Sequence, residues 1–219
     1  MALTIGNKTT SITTPTIDTV TFSHNNGGGT GNYLFLLICT DLSSTYVGVT
    51  YNGVSMTQID TRTTTSTVER WAFYRLASPS TGANNVVVTF GAAPYNPVSI
   101  FVVSMSECSG EGNIVFDDTA LPPNSTNITV SSNSIILGAA AAGANVSKDI
   151  TLDGTSRTLE FTHSIYNYTY AAFSAAGLTA GSKAVSVSNS ATVAGYYLEI
   201  KESAGGGGGV TLRRRIIIV

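Results

Sequence analysis

Two stretches of this chain, about a hundred residues apart, carry the same turn in the same setting. Thr50 to Thr57 reads TYNGVSMT and Thr151 to Thr158 reads TLDGTSRT, an offset of 101. Thr, Gly, Ser and Thr coincide, and Asn-Gly is answered by Asp-Gly. These dipeptides favour the type I′ hairpin turn, because both central residues of that turn need positive φ. At the same offset, Asn32 to Asp41 (NYLFLLICTD) faces Asn133 to Ala142 (NSIILGAAAA). At offset 99, Trp71 to Phe90 faces Tyr170 to Asn189, with Ala72, Ala77, Gly82, Val86 and Val88 finding identical residues. At offset 95, Pro97 to Glu107 faces Thr192 to Glu202. Four blocks in one order, with offsets that drift only at turns, point to an internal duplication. The period is too long for a solenoid. Two copies of this size interlock as one sandwich or sit as two lobes.

The repeated segments read as strands. Tyr196, Leu198 and Ile200 alternate with Tyr197, Glu199 and Lys201, the period-2 pattern of a strand with one apolar face. Val86 to Phe90 is β-branched and aromatic. Val98 to Met105 is apolar at both phases, which predicts a central strand covered on both faces. Ala139 to Ala142 has high helix propensity. Gly138 and Gly143 bound it, however, and the repeat aligns it with Ile38 to Asp41. It is expected to be a strand of small side chains that a neighbouring layer approaches closely. No segment sustains a 3.6-residue apolar stripe. The expected fold is all-β: an antiparallel sandwich of two homologous halves with extended terminal arms.

The boundaries follow. Residues 1–16 are Thr-rich and are expected to be an extended N-terminal arm. The sandwich is expected over 17–203, with copy one at about 17–110 and copy two at about 124–203. Ile17 to His24 is placed as the first strand, Asn127 to Val130 in the matching place, and Leu121-Pro122-Pro123-Asn124 at the junction. Residues 204–219 are expected to be a Gly-rich linker followed by a docking strand.

Composition narrows the function classes. Of 219 residues only 11% are charged, against about 25% in an average globular domain. The net charge of −2 hides an asymmetry. Without Arg213, Arg214 and Arg215 the chain has 8 basic and 13 acidic residues. An acidic body with a short basic tail argues against nucleic acid, whose binders show a basic face. No apolar run is long enough to span a bilayer. Met1 to Gly6 lacks the basic and apolar regions of a secretory leader, so synthesis in a cytoplasm is expected. Cys39 and Cys108 lie in or beside apolar runs and are expected to be buried free thiols.

No residue constellation points to catalysis, a metal or a cofactor. His24 borders a Gly-rich loop and His163 follows Glu160-Phe161-Thr162; no G-x-S-x-G elbow accompanies them. Asp117-Asp118, near Glu111 and Asn113, lacks the spacing of a Ca²⁺ loop and reads as solvated turn carboxylates. Gly27 to Gly31 has no Lys-Ser/Thr after it and is not a P-loop. Two features remain as candidate binding elements. Tyr166, Tyr168 and Tyr170 alternate along one strand, where they cover the edge of the sandwich or stack on sugars or a protein partner. Arg213, Arg214 and Arg215 precede Ile216, Ile217, Ile218 and Val219, a run of high β-propensity with no local partner. That run is expected to add a strand to a neighbouring subunit's sheet, with the arginines on its acidic surface.

The run VTYNGVSMTQI, then WAFYRLASPSTGANNVVVTF, then VSIFVVSMSE, resembles a β-sandwich family of phage and bacterial surface proteins. The resemblance spans roughly residues 17–203 and rests on structural motifs: a Y-N-G turn, an aromatic strand, a P-x-x-G-x-N loop, a V-x-V strand and an apolar strand. It implies a jelly-roll-like sandwich used for display, attachment or capsid decoration, and no catalytic residues. The Gly-rich linker with an Arg-rich apolar end is similar to the finish of many virion proteins. The expectation is therefore a virion structural protein, a capsid decoration or cement subunit. Its partners would be other copies of itself and major capsid or tail proteins. A carbohydrate-binding or host-adhesion module, with host glycans as partner, and a bacterial surface or filament subunit are the alternatives.

Overall fold

The computed structural model describes residues 2–42, 44–64, 69–118, 124–143, 149–165, 168–187 and 193–203. Strands account for the regular structure among them, and every strand pair is antiparallel. The first nine are β1 (Thr4–Thr13), β2 (Thr19–Asn26), β3 (Tyr33–Asp41), β4 (Tyr46–Tyr51), β5 (Val54–Ser55), β6 (Thr57–Thr63), β7 (Glu69–Ala77), β8 (Gly82–Phe90) and β9 (Val98–Ser106). The second nine are β10 (Cys108–Asp117), β11 (Asn124–Val130), β12 (Ser134–Gly143), β13 (Ile150–Leu152), β14 (Thr155–Ser156), β15 (Leu159–Ile165), β16 (Tyr168–Leu178), β17 (Gly181–Val187) and β18 (Val193–Glu202).

Each set of nine builds the same two sheets. The first half forms β1-β9-β3-β7-β6 and β2-β8-β4-β5. The second forms β10-β18-β12-β16-β15 and β11-β17-β13-β14. First strand pairs with last, second with next to last, and so inward to a hairpin. That is a jelly roll, with one added edge strand in each half (β6 and β15).

The Asn-Gly and Asp-Gly turns close the innermost hairpins of the two halves. Asn52 and Gly53 have φ of 50° and 76°, and Asp153 and Gly154 have φ of 49° and 76°. The Asn52 N–H donates to Asn85 O at 2.9 Å, and the Asp153 N–H donates to Ala184 O at 2.8 Å. A bulky or β-branched residue would be strained at these positive φ values.

The duplication reaches further back than the sequence blocks. β1 carries a register break between Ile5 and Lys8, and β10 carries one between Glu111 and Ile114. Gly6-Asn7 occupies the first and Gly112-Asn113 the second. Asn7 Nδ2 donates to Asn25 O and Asn113 Nδ2 to Thr129 O, both at 2.7 Å. Residues 4–13, expected within an extended arm, are thus a paired edge strand. Residues 108–117 are its counterpart and open the second half. One block also shifts by a residue. Leu36 faces Tyr74 and Val102, while Gly138 faces Phe173 and Tyr197. The β3/β12 offset is therefore 102 rather than 101. A one-residue slip sends every side chain to the other face.

The large sheets of the two halves pack face to face. Phe35, Leu37, Trp71, Phe73, Phe101 and Val103 of one meet Ile135, Leu137, Ala139, Tyr196, Leu198 and Ile200 of the other in one core cluster. On its outer face each large sheet packs on its own small sheet. The order of layers is small, large, large, small. This explains why β3 and β9 are apolar at both phases: all but their end residues are buried. The halves meet as an approximate two-fold pair. Lys8 of β1 reaches Glu160 of β15 and Ser174 of β16. On the opposite edge Arg75 of β7 pairs with Glu111 of β10, and Arg62 of β6 lies 6.0 Å over the Phe116 ring.

The alanine run is a strand, as its place in the repeat predicted. Small residues there make room for aromatic ones. A Cβ added at Gly138 would lie 2.8 Å from Phe173 Cζ and 2.7 Å from Tyr197 Cδ1. Both rings are buried, so neither can swing into solvent. Gly138→Ala is expected to destabilise the chain by about 1–3 kcal/mol, the usual cost of overpacking. Urea unfolding measures this; an unchanged midpoint would mean that β12 is not held against those rings.

Candidate functional site

The chemistry-bearing side chains noted in the sequence are mostly consumed by the core. His24, on β2, is 1% exposed. Its Nδ1 is 2.9 Å from Thr9 Oγ1 on β1 and its Nε2 is 3.0 Å from Ser104 Oγ on β9. The imidazole therefore ties the small sheet to the edge of the large one. Ser104 Oγ donates onward to Asn7 O at 3.4 Å, which assigns the ring proton to Nε2 and leaves Nδ1 to accept from Thr9. The Tyr51 hydroxyl donates to the carbonyls of His24 and Gly82 at 3.3 and 3.0 Å. Burial pulls the His24 pKa from 6.5 down to about 4.

The second half fills the same places differently. His24 faces Asn84; its counterpart Ile128 faces Lys183. Ser104 faces Leu34; its counterpart Glu199 faces Ile136. Glu199 is 1% exposed. It accepts from Ser131 N–H at 2.6 Å, Asn113 N–H at 3.0 Å and Ser134 Oγ–H at 2.8 Å. Burial pushes its pKa up, but these hydrogen bonds outweigh burial and hold it below the usual range. Gly112 is required beside it, because a Cβ there would collide with the carboxylate. A second buried carboxylate, Glu69, accepts from Trp71 Nε1–H at 2.7 Å.

Both cysteines are free and buried, as expected. Burial raises the Cys39 thiol well above its usual range, with Glu69 adding to the effect. Burial, less a hydrogen bond from Gly110, pushes Cys108 up to about 11. Neither is a thiolate near neutrality. Among the described residues no group of three His, Cys, Asp or Glu side chains could hold a metal. Glu111 pairs with Arg75, and Asn113 bonds Thr129 O.

The predicted binding residues stand as follows. Tyr168 and Tyr170 are alternate residues of β16, opposite Gly143 and Ala141 of β12, and His163 of β15 is opposite Tyr170. Tyr166 lies outside the described residues. So do Arg213, Arg214, Arg215, Ile216, Ile217, Ile218 and Val219. The last described residue, Ser203, donates its N–H to Glu107 O at 2.7 Å.

A feature with no sequence signal lies on the open side of the first sandwich. Thr45, Tyr46, Gln58, Thr61, Thr63 and Arg70 line a solvent-open depression of about 300 Å³. Arg70 Nη1 donates to Ser44 O at 2.7 Å, and the Tyr46 hydroxyl donates to Arg70 O at 2.6 Å. Arg70 forms no ion pair with any described residue.

The topology and these sites define an all-β protein of two stacked jelly rolls. Among the described residues no helix is long and apolar enough to cross a membrane. No family model, no curated protein and no solved structure matches the chain.

His24 and Glu199 act on stability in the same direction. Below pH 6.5 an unfolded His24 takes up a proton that the folded, neutral ring refuses. An unfolded Glu199 likewise protonates at a higher pH than the folded one. The unfolded state therefore binds more protons across this range. Stability is full above about pH 6.5 and falls as pH drops towards 4. Urea midpoints measured from pH 7 to 4 should fall steadily. His24→Ile, which copies the second half, should remove the upper part of that fall. A wild-type midpoint that is flat from pH 7 to 5 would contradict a buried neutral His24.

Proposed function

We propose that this chain is a structural protein of a virus particle's surface, a capsid decoration or cement subunit that works through subunit contacts. The observation that supports it best is where exposed apolar side chains collect. Of the exposed large hydrophobic side chains among the described residues, Val54, at 55%, lies apart on the β4–β5 hairpin; the other four, Ile12, Ile17, Val47 and Tyr95, are 43%, 62%, 67% and 78% exposed. All four belong to the end of the first half where the β1–β2, β3–β4 and β8–β9 connections lie together. Backbone bonds hold those connections to one another: Phe90 N–H to Asp18 O at 2.8 Å and Gly91 N–H to Thr45 O at 2.9 Å. An apolar end on a sparsely charged, stiff body suits a subunit seated against a neighbour.

The rest of the body fits the same role. His24 ties two sheets together and Glu199 joins β18 to β10, β12 and the β11–β12 turn, while both thiols are buried and free. The repeated jelly roll gives a rigid block whose shape does not depend on a ligand. The C-terminal Arg-Arg-Arg-Ile-Ile-Ile-Val sequence would add a second grip, a strand paired with a neighbour's sheet edge.

Two outcomes are expected. Imaging of the native assembly should reveal copies arrayed on a particle shell, and a chain that remains a monomer apart from every particle would reject the proposal. Ile17→Asp with Tyr95→Ser should lower the particle-bound fraction at least about tenfold. The urea midpoint should stay within the ~0.5 kcal/mol typical of surface changes.

A further inference from the structure

We infer that the Arg70 depression is a binding site for an acidic sugar residue, with the guanidinium taking its carboxylate. The reading is independent of the particle-surface role.

The cation comes first. Arg70 faces the space between β6 of the large sheet and β4 of the small one. It is held rather than loose: Tyr46 fixes its backbone carbonyl and Ser44 takes one guanidinium N–H. The guanidinium carries five N–H donors in a planar fork, and that one bond leaves most of the fork for the depression. Among the described residues no carboxylate lines it. The nearby pair Arg62–Asp60, at 2.8 Å, is closed on itself. Arg62 lies towards Phe116 of the second half, on the opposite face of β6 from Thr61 and Thr63. A fork so placed suits a planar carboxylate held by two parallel bonds.

The other groups say what else the ligand carries. Gln58 Oε1 accepts from the Tyr74 hydroxyl at 2.8 Å, so its amide N–H groups remain to donate. Thr61 Oγ1 donates to Trp71 O at 3.0 Å, so its oxygen remains to accept. Thr45 and Thr63 are exposed and offer both roles. One positive charge among neutral donors and acceptors matches a monoanion on a hydroxylated ring better than a dianion such as phosphate. The volume lies at the low end of small-molecule sites, ~300–1,000 Å³, which suits one sugar unit at a chain end or in an open chain.

The site is peculiar to the first half. Arg70 faces Thr40 and Thr63; the counterpart Thr169 faces Ala142 and Ser164. The fold does not need an arginine here, since the same jelly roll forms with a threonine.

The full chain is titrated with methyl glucuronoside, methyl glucoside and acetate, followed by amide and side-chain NMR shifts. Glucuronoside should move Thr45, Gln58, Thr61, Thr63 and Arg70, and bind at least about tenfold tighter than either control, the effect of one charge-assisted hydrogen bond or more. Arg70→Gln should weaken it at least about tenfold, and Arg70→Lys, which keeps charge but loses the fork, by an intermediate factor. Thr63→Val leaves Arg70 in place and should weaken glucuronoside several-fold without altering acetate; it decides the matter if the arginine variants do not fold. Equal binding of glucoside and glucuronoside, acetate binding as tightly as glucuronoside, shifts confined to another surface, or wild-type affinity in Thr63→Val would each overturn the assignment.

Discussion

The contact between the two large sheets is the constraint on which the molecule depends. Each large sheet must be apolar on both faces, since one face meets its own small sheet and the other meets its twin. A single antiparallel sandwich keeps one face of each sheet wet and alternates apolar with polar residues. Here β3, β9, β12 and β18 lose that alternation. Neither half could stand alone with Phe35, Trp71, Phe101 or Tyr196 facing water. The large sheet is a half-finished core until the other half arrives.

The two halves solve that shared problem with different side chains. Across the central layer the first half supplies bulk, including Phe35, Trp71 and Phe101, and the second supplies alanines at Ala139 and Ala141. Inside the sandwiches the first half builds a polar clasp of His24, Thr9, Ser104 and Tyr51, where the second places Ile128 and Leu152 and relocates polarity to Glu199. A buried polar group is acceptable only when satisfied, and each half satisfies its own by a different route. Divergence after duplication has therefore gone into packing and polarity while the strand order stayed fixed.

What the sequence disclosed follows the strength of local signals. Asn52-Gly53 and Asp153-Gly154 are legible because their backbone requires those residues. β9 is legible because two-sided burial leaves a continuous apolar run. β18 reads as a strand with one apolar face, yet Tyr197 and Glu199 on the other face are buried too, because the small sheet covers it and hydrogen bonds satisfy the carboxylate. β1 and β10 were hidden. As edge strands they need little apolar pattern, and only Gly-Asn at their bulges is shared. The β12 register slipped by one because Ala139 to Ala142 offers four equal side chains and no phase. The Arg70 depression was invisible for another reason. Its lining comes from the β3–β4 connection, β4, β6 and β7, and a single arginine before Trp71 carries no motif. The tyrosine pattern Tyr166, Tyr168 and Tyr170 and the C-terminal arginines were legible as patterns only, since pattern alone does not specify what a side chain touches.

The joint between the halves is one residue. Ser106 ends β9, Cys108 begins β10, and between them Glu107 takes a φ of 56°. Its N–H is held by Thr30 O at 2.8 Å, and its carbonyl holds the N–H of Ser203 at 2.7 Å. The crossover from one jelly roll to the next and the end of β18 are thus tied at one point. A pull applied at Ser203 would reach Glu107 through this bond, so part of the load would pass to the junction of the two sandwiches as well as along β18.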